Sequence, residues 1–494
     1  MSSQPKANPW VLERITHVSK ILQDEKSSDE DLAVAAQLCE TLLMIDRDNP
    51  GVVFLLATVY MRAGKYGIAE NLLYRTIQLK HKSPEAWNNL GFICQSEGRW
   101  AGADKAFTTA IAQAPGNLEA QSNLASLYVN NGTPAKALRM CDAVLKEAPT
   151  MVDAMWNRAL ALLELGKWQE GWEAYSTGLA MSDRSSVSRK VRYRELPYWD
   201  GNIIPGGKNL VVYGEQGVGD EIMGFSMIND AIKLTGGRMV LETHPRLMNI
   251  AREAFPDIHV YGTRKAPEGS WQANENLGAQ IPLLGLGEYF RSSDAAFLAG
   301  AKPYLDPDHE GVARAREKYA EPGKPLIGIS WAGGSMTTRA DVRSLPMKWL
   351  HENLLAEFAN DVTWMSLQYD PPEQPGFYTR VTDGYRRDTG VNLIHDVDAI
   401  NDLDVCYLSV APACDLIISV CTSLVHACGA TGTNVMVLTP REVAWRYGQQ
   451  GPRMPWYGEH VTLARQARAG YWDEPMAQVR KAVKQLVDGA KGDE

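Results

Sequence analysis

The sequence predicts an α + α/β protein in which a helical repeat array precedes two α/β halves. Two observations carry this prediction. Glycines recur every 34 residues in the first third of the chain, and short apolar runs alternate with helical stretches in the rest. At 494 residues, 45% of them hydrophobic, the chain is long enough to build two or three cores. We therefore expect a multidomain globular protein.

The first third of the chain contains an internal repeat. Its period is set by four glycines: Gly64, Gly98, Gly132 and Gly166. Each follows a helical apolar pattern such as "AWNNLGFICQSEG" and would close the turn between two helices by adopting a positive φ. The pattern predicts four full helix pairs from about 50 to 183, preceded by a degenerate half unit around "EDLAVAAQLCETLLMID".

The units resemble the tetratricopeptide repeat. In the clearest unit, the packing positions of that pattern hold Trp87, Leu90, Gly91, Ala103, Phe107, Ala110 and Pro115. Small residues at Ala69, Ala103 and Ala137 would let paired helices approach each other. Such arrays curve to give a concave face. The resemblance implies a peptide-docking groove, with a folding scaffold as the alternative.

Charge and composition exclude several classes of protein. Fifty Lys and Arg against 59 Asp and Glu give a net charge of -9, the wrong sign for a nonspecific nucleic-acid binder. The start, "MSSQPKANPW", has no charged region followed by an apolar run, and no apolar run of about 18 residues follows. We therefore expect a cytoplasmic protein with no membrane span. The seven cysteines include no C-x-x-C pair, which disfavours a zinc site or a disulfide framework.

Two sets of short apolar runs follow the repeats. One contains "NLVVY", "RMVLET" and "IHVYG", and the other contains "KPLIGIS", "VTWMSLQ", "DLIISV" and "NVMVLTP", with helical stretches between them. This alternation predicts βαβ units, parallel sheets and two Rossmann-like halves with a cleft at the carboxyl ends of their strands. We place the repeat domain at 1–183, a basic linker at 184–205, and the two halves at 206–323 and 324–494.

Four motifs in order resemble a known family. They are "WDGNIIPGGKNLVVYGEQGVGDEIMGF", "IGISWAGG…RSLP", "DLIISVCTSLVHACGATGTNV" and "WRYGQQGPRMPWYGEHVTLARQ". Together they resemble the bacterial tetratricopeptide glycosyltransferases, whose catalytic half is similar to the ADP-heptose heptosyltransferases and whose layout is similar to the protein O-GlcNAc transferases. The resemblance implies a tetratricopeptide α-solenoid followed by a GT-B-type pair of Rossmann-like domains. It also implies a nucleotide-sugar donor held by the C-terminal half, inversion at the anomeric carbon, and no metal or other cofactor.

The turn "GEQGVGDEIMGF" raises the question of which ligand requires carboxylates there. An inverting transfer needs a base to take the proton of the acceptor hydroxyl. In the heptosyltransferase pattern the Asp of "GD" after the first strand is that base, so the resemblance assigns this role to Asp220, next to Gly219. Glu215 and Glu221 are the alternatives, and Gln216 is a substrate-binding candidate in the same turn. Asp220 could also cap the following helix, and the two roles are compatible.

The donor side needs hydroxyls, amides and positive charge around a leaving diphosphate. "SVCTSLVHACGATG" opens a helix after a buried strand, so Thr422 and Ser423 would lie at its positive end. This resembles the phosphate-binding turn of the family, and simple helix capping by Thr422 is the alternative. His426, one helical turn on, could face the cleft or be a structural histidine. Cys421 stands where the heptosyltransferases usually have Asp, which puts a heptose donor in doubt; we expect it to be a packing residue.

The loop after "IGISWAGG" supplies two arginines. Arg343 occupies the place of the family's diphosphate-neutralising Lys, so the resemblance makes it a catalytic residue. For both Arg343 and Arg339 the alternative is a solvated loop arginine. The other substrate-binding candidates on this side are Ser330, Gly333, Gly334 and Gln368. The glycines would let the loop approach the donor or simply form a turn, and Gln368 could contact the base or ribose.

Three remaining features bear on function. The strings "DPD", "DVD" and "DLD" (306–308, 396–398 and 402–404) are too common in an acidic chain to indicate a metal site. The aromatics of "WRYGQQGPRMPWYG" could stack on a ligand or pack the two halves together. The leading hypothesis is an inverting glycosyltransferase acting on a docked protein. The alternatives are a non-catalytic adaptor with a degenerate α/β body, and a transferase acting on a lipid-linked or surface glycan.

Overall fold

Helix pairs of similar length follow one another through the first third of the chain. The computed structural model describes residues 9–24, 27–181, 192–193, 195–263, 271–333, 340–371 and 374–492. Helices in the first of these regions are α1 (Pro9–Gln23), α2 (Asp29–Ile45), α3 (Pro50–Arg62), α4 (Tyr66–Leu79), α5 (Pro84–Ser96), α6 (Trp100–Gln113), α7 (Leu118–Asn130), α8 (Pro134–Glu147), α9 (Val152–Glu164) and α10 (Trp168–Met181). Most of the predicted linker lies outside the described residues.

The 34-residue period is realised as the same turn four times. Gly64, Gly98, Gly132 and Gly166 have φ values of 70°, 72°, 61° and 71°. The residue after each glycine donates its N–H to the carbonyl five residues back: for example, Lys65 bonds to Tyr60 at 2.8 Å and Arg99 bonds to Cys94 at 2.7 Å. This is the hydrogen bond of a Schellman cap, which satisfies carbonyls at the helix end. The predicted helical repeat is confirmed.

Small residues allow the paired helices to pack closely. Ala69, Ala103 and Ala137 are completely buried. Gly91 allows α5 and α6 to pack in direct contact, because a Cβ built at this glycine would lie 2.5 Å from the ring of the buried Phe107 on α6. The ring therefore occupies the space that any side chain at position 91 would need.

Gly91→Ala should destabilise the repeat region by about 1–3 kcal/mol, since the added methyl overpacks the contact with Phe107. Alanine's higher helix propensity, worth about 1 kcal/mol, offsets this only in part. Gly67→Ala in α4 is the matched control, because among the described residues no heavy atom lies within 4 Å of a Cβ built there. Thermal unfolding of both variants checks the prediction. A fall in the midpoint for Gly67→Ala as large as that for Gly91→Ala would contradict it.

The remainder of the chain contains strands and shorter helices. The strands are β1 (Asn209–Tyr213), β2 (Met239–Glu242), β3 (His259–Tyr261), β4 (Leu277–Pro282), β5 (Leu326–Ser330), β6 (Thr363–Ser366), β7 (Leu393–Ile394), β8 (Leu416–Val420), β9 (Val435–Thr439) and β10 (Val461–Arg465). The helices are α11 (Val218–Phe225), α12 (Ile228–Thr235), α13 (Met248–Ala254), α14 (Trp271–Asn274), α15 (Gly287–Phe290), α16 (Asp294–Gly300), α17 (His309–Tyr319), α18 (Ala340–Arg343), α19 (Met347–Leu350), α20 (Phe377–Thr389), α21 (Val397–Asn401), α22 (Leu403–Val405), α23 (Ala411–Ala413), α24 (Ser423–Thr431) and α25 (Asp473–Gly492).

These strands form two parallel sheets. The first has the order β3-β2-β1-β4, and the second has the order β10-β9-β8-β5-β6-β7. Numbered along the chain, the second sheet reads 3-2-1-4-5-6, the doubly wound order in which ligands bind where the winding reverses. That point lies between β5 and β8, whose residues are all buried, as expected for parallel strands covered on both faces. In the first sheet it lies between β1 and β4.

Packing divides the chain into two compact units, residues 1–157 and 158–494. The division falls within α9, so α10 belongs to the second unit, although the repeat pattern runs through it. There the ring of Trp172 lies 5.4 Å from that of Trp445 and 6.3 Å from that of Trp456, and its Nε1 donates to the Arg291 carbonyl at 2.8 Å. These rings fix α10 on the α/β body.

Contacts cross the predicted division of the two α/β halves at residue 323. The N–H of Asp308 donates to the Leu408 carbonyl at 2.9 Å, and Arg316 on α17 donates to the Ala413 carbonyl at 2.7 Å. Helix α17 therefore packs with the second sheet. No helix within the described ranges is long and apolar enough to cross a membrane.

Candidate functional site

The site lies where α11, after β1, meets α24, after β8. Gly219 makes this contact possible: a Cβ built there would lie 2.9 Å from Cδ2 of His426 and 3.1 Å from Cα of Ser423. The amino ends of the two helices therefore meet, and each carries the partial positive charge of a helix N-terminus. Gly219, Asp220, Ser423 and His426, four of the predicted site residues, are brought together here.

Asp220 is paired with an arginine from the segment between β9 and β10 of the second half. Its Oδ1 accepts from Nε of Arg446 at 2.6 Å, and its Oδ2 accepts the N–H of Gly217 at 3.3 Å. The Asp220 side chain is 14% exposed and that of Arg446 is 21% exposed. Burial lowers the pKa of Arg446, but the Asp220 carboxylate more than offsets this, so the pKa lies above its usual value. Asp220 thus caps α11 and joins the two halves, whatever else it does.

Glu221 is held below the turn. A Cβ built on Gly214 would lie 2.2 Å from Oε1 of Glu221, so the glycine leaves room for this carboxylate. Its Oε2 accepts from Oγ1 of Thr243 at 2.6 Å and from the N–H of His244 at 2.8 Å. Glu221 is 1% exposed, and these bonds fix the segment after β2 against the turn.

Glu215 is the most unusual of the three carboxylates. It is 4% exposed, and its Oε1 accepts from the Tyr175 hydroxyl at 3.0 Å and from the N–H of Leu284 at 3.4 Å. Its Oε2 is buried and has no hydrogen-bond partner among the described residues. Burial raises the pKa of Glu215 to about 7, while the Tyr175 bond acts in the opposite direction. Beside it, Nε2 of Gln216 donates to the same Tyr175 hydroxyl at 2.7 Å.

Glu215→Gln should flatten the pH dependence of stability. The folded state holds the Glu215 proton more tightly than the unfolded chain does, so this residue's contribution to stability is lost as pH rises from about 4.5 through about 7. The loss is about 3 kcal/mol at most by the linkage relation. Denaturant titrations at pH 5 to 8.5 should give a wild-type free energy of unfolding that falls relative to the variant's. Parallel curves would contradict the prediction.

The turn before α24 is arranged differently from a simple helix cap. Thr422 is the N-cap residue, yet its side chain makes no capping hydrogen bond; its hydroxyl lies 3.2 Å from Oγ of Ser419. Oγ of Ser423 lies 2.7 Å from the hydroxyl of Tyr407, in a π-helical turn, Cys406–Val410. Such turns are frequent at functional sites. Both predicted hydroxyls thus lie at the start of α24, each with a protein partner.

The loop after β5 is closely tied to this turn. A Cβ built on Gly333 would lie 2.4 Å from Cγ2 of Thr422, so glycine is required for the approach. Arg343 bridges the two segments, with Nε donating to the Gly333 carbonyl at 3.0 Å and Nη1 donating to the Cys421 carbonyl at 2.9 Å. The guanidinium therefore lies at the carboxyl ends of β5 and β8. Gly334 and Arg339 lie outside the described residues.

Ser330 and Gln368 stabilise the same loop from beneath. Oε1 of Gln368 accepts from the N–H groups of Trp331 and Ala332 at 3.0 and 2.9 Å and from Oγ of Ser330 at 3.2 Å. Nε2 of Gln368 donates to the Ala332 carbonyl at 2.8 Å. Because Gln368 is 1% exposed, its amide supports the loop, and the predicted base or ribose contact would require these bonds to break.

His426 and Cys421 are both buried next to the α24 turn. Burial lowers the pKa of His426 to about 3, so its ring is neutral, and Nδ1 lies 3.0 Å from the hydroxyl of Tyr457. Burial raises the pKa of Cys421 to about 11, so its thiol is protonated at neutral pH. This agrees with the packing role expected for Cys421.

The aromatic segment from Trp445 to Tyr457 forms a packed interface. Trp445, Tyr447, Trp456 and Tyr457 are all buried, and the rings of Trp445 and Trp456 lie 6.1 Å apart beside Trp172.

Two of the three D-x-D strings supply helix caps: Asp396 caps α21 and Asp402 caps α22. In the described part of the chain, no group of three or more His, Cys, Asp or Glu could hold a metal ion.

Sequence reasoning missed two residues of this site and the pairing of a third. Tyr175 and Tyr407 lie in no recognisable motif, and Arg446 lies in the segment "WRYGQQGPRMPWYG", where only the aromatic residues stand out. Arg446 pairs with a residue 226 positions away. Only the folded chain brings such residues together.

Comparison with known proteins supports the helical repeat. Residues 46–154 match the family "Tetratricopeptide repeat protein 21 C-terminal ARM domain". The chain is 28% identical over 423 residues to protein FlbA of Caulobacter vibrioides, covering 81% of this chain and 68% of FlbA. Since neither unit alone supplies that coverage, the similarity includes residues of both units.

The similar solved structures cover about a third of this chain. A crystal structure of MamA is 22% identical, covers 35% of this chain and 94% of MamA, and has a TM-score of 0.29. PilF of Pseudomonas aeruginosa is 15% identical, covers 35% of this chain and 80% of PilF, and has a TM-score of 0.31. The chain therefore has an N-terminal tetratricopeptide-like helical repeat followed by a C-terminal region with parallel sheets.

Proposed function

We propose that the chain is an inverting glycosyltransferase that moves a sugar from a nucleotide-sugar donor to a hydroxyl of a polypeptide docked by the helical array. The observation that carries the proposal is the contact of α11 with α24 at Gly219. At this contact, the helix after β1 of the first sheet meets the helix after β8 of the second sheet, and both strands lie where the winding of their sheet reverses. Ligands of such sheets bind at the carboxyl ends of the strands. A transfer reaction needs one such surface for the donor and another for the acceptor.

The donor would lie on the second sheet. There the amino end of α24, the Arg343 guanidinium and the glycine at position 333 surround the carboxyl ends of β5 and β8. A helix N-terminus and an arginine both stabilise the negative charge that develops on a leaving nucleoside diphosphate. In the transfer, the acceptor oxygen bonds to the anomeric carbon as the bond from that carbon to the diphosphate oxygen breaks.

The acceptor proton would pass to Asp220 on the first half. For this to happen, Arg446 has to leave Oδ1, and the donor diphosphate provides an alternative partner for a guanidinium. Oδ1 of Asp220 then accepts the hydroxyl proton, in the role of general base. The helical array would select the polypeptide, as the concave surfaces of such arrays can.

A second candidate is a scaffold protein with a non-catalytic α/β unit. One observation favours it: Arg446 is paired with Asp220, and Arg343 donates to two main-chain carbonyls. In a scaffold protein these bonds would have a purely structural role. The measurement that separates the two candidates is nucleotide binding.

Calorimetry with UDP, ADP, GDP, CMP and their common sugars tests the proposal. Wild-type protein should bind one nucleotide class, and Arg343→Gln should weaken that binding about tenfold or more, since hydrogen bonds to charged groups contribute about 1.5–3 kcal/mol. Arg316→Gln is the matched control. Arg316 bonds to the Ala413 carbonyl before β8, whereas Arg343 bonds to the Cys421 carbonyl after it.

Asp220→Asn should keep nucleotide binding and lose transfer to hydroxyl acceptors. If folded wild-type protein binds none of these nucleotides, the transferase proposal is overturned and the scaffold function remains. Equal weakening in Arg343→Gln and Arg316→Gln would remove Arg343 from the donor site.

A further inference from the structure

Tyr175 connects the last helix of the repeat pattern to the turn after β1. Its hydroxyl donates to Oε1 of Glu215 at 3.0 Å and accepts from Nε2 of Gln216 at 2.7 Å. Both partners lie in the turn Gly214–Gly217, which leads into α11. A single hydroxyl group therefore holds two consecutive side chains of the candidate site.

Helix α10 is fixed firmly enough for this bond to have a defined geometry. Three residues before Tyr175, Trp172 packs against Trp445 and donates to the Arg291 carbonyl at 2.8 Å. One residue after it, Ser176 donates to Oε2 of Glu288 at 2.9 Å. Residues on both sides of Tyr175 are thus anchored in the α/β body, which gives its hydroxyl a defined position beside the turn.

The position of the turn determines the orientation of the Asp220 side chain. The N–H of Gly217, at the end of the turn, donates to Oδ2 of Asp220. A shift of Glu215 and Gln216 would move Gly217 and would change the direction of the Asp220 carboxylate. Small misplacements of a reacting group cost large factors in rate.

We propose that Tyr175 is a positioning residue of the site: through Glu215 and Gln216 it fixes the turn that orients Asp220. The inference rests on the proposed function where it concerns rate, but its geometric part stands independently of that function. It makes α10 a functional element of the α/β unit as well as the last helix of the repeat pattern.

The ionisation of Glu215 reports on this contact. The titratable groups that face it are Tyr175 on α10, Tyr198 before β1, Tyr213 on β1 and Glu221 on α11, together with the N–H of Leu284 after β4. The Tyr175 hydroxyl favours the ionised carboxylate, because it donates a hydrogen bond to it. Loss of that hydroxyl should therefore raise the pH at which Glu215 titrates.

Tyr175→Phe in the full chain tests the proposal, with Tyr198→Phe as the matched control. Tyr198 loses the same group, but its hydroxyl donates to Ser176 of α10 at 3.1 Å and not to the turn. Gln216→Met is a second test variant, because it removes the donor to the Tyr175 hydroxyl without changing α10. Two readouts are measured: the pH profile of kcat with the donor found by calorimetry, and the titration of Glu215 by carbon NMR of labelled glutamate, assigned with Glu215→Gln.

We expect Tyr175→Phe to lower kcat tenfold or more, to leave KM for the donor within about twofold, and to move the Glu215 midpoint upward. Tyr198→Phe should change none of these. Equal losses in the two tyrosine variants with an unmoved midpoint would show a merely structural hydroxyl and overturn the proposal. If wild-type protein binds no nucleotide, the proposed function fails alone, and the NMR midpoints of Tyr175→Phe and Gln216→Met still decide whether Tyr175 controls the turn.

Discussion

The close approach of α11 to α24 at Gly219 is the constraint on which the site depends. With any side chain at this position, the two helix ends would be pushed apart, because Ser423 and His426 already fill the space. The contact brings two positive helix ends together, and negative charge nearby stabilises such an arrangement. Asp220, with Arg446 as its counter-ion, supplies that charge in the protein itself. A bound phosphate would supply it in the same way.

The three carboxylates of the turn after β1 have three different environments. Glu221 is buried and accepts from two donors, and Asp220 is paired with an arginine. Glu215 has one oxygen with no hydrogen-bond partner in the described part of the chain. The acidity of the turn is therefore explained mostly by packing within the protein. Asp220 contacts both α/β halves through its pairing with Arg446, and these surroundings suit a role toward a ligand.

The sequence predicts what depends on local spacing, and fails where distant segments meet. The helix pairs, their glycine turns and the alternation of strands and helices all follow from periods of 34 residues or fewer. The residues of the turns after β1, β5 and β8 can be predicted from the sequence, because a motif marks the end of each of these strands. The pairing of Gln368 with Ser330, and of Arg446 with Asp220, joins residues 38 and 226 positions apart, and no local pattern indicates it. Thr422 is likewise recognisable as a cap position, while the direction of its hydroxyl depends on Ser419.

Helix α10 continues the 34-residue repeat pattern but belongs to the second compact unit, because the division between the units lies inside α9. A 34-residue period is maintained by contacts within each helix pair, whereas membership of a unit depends on what covers the outer face of the helix. In α8 that face carries Leu138 and Asp142, but one period later α10 has Trp172 and Ser176. The indole packs among aromatic rings and the small hydroxyl reaches Glu288, so this face is buried in the α/β body. In this chain, Trp172 at the outer position of the last repeat is thus the sequence feature that marks where the array joins the α/β body.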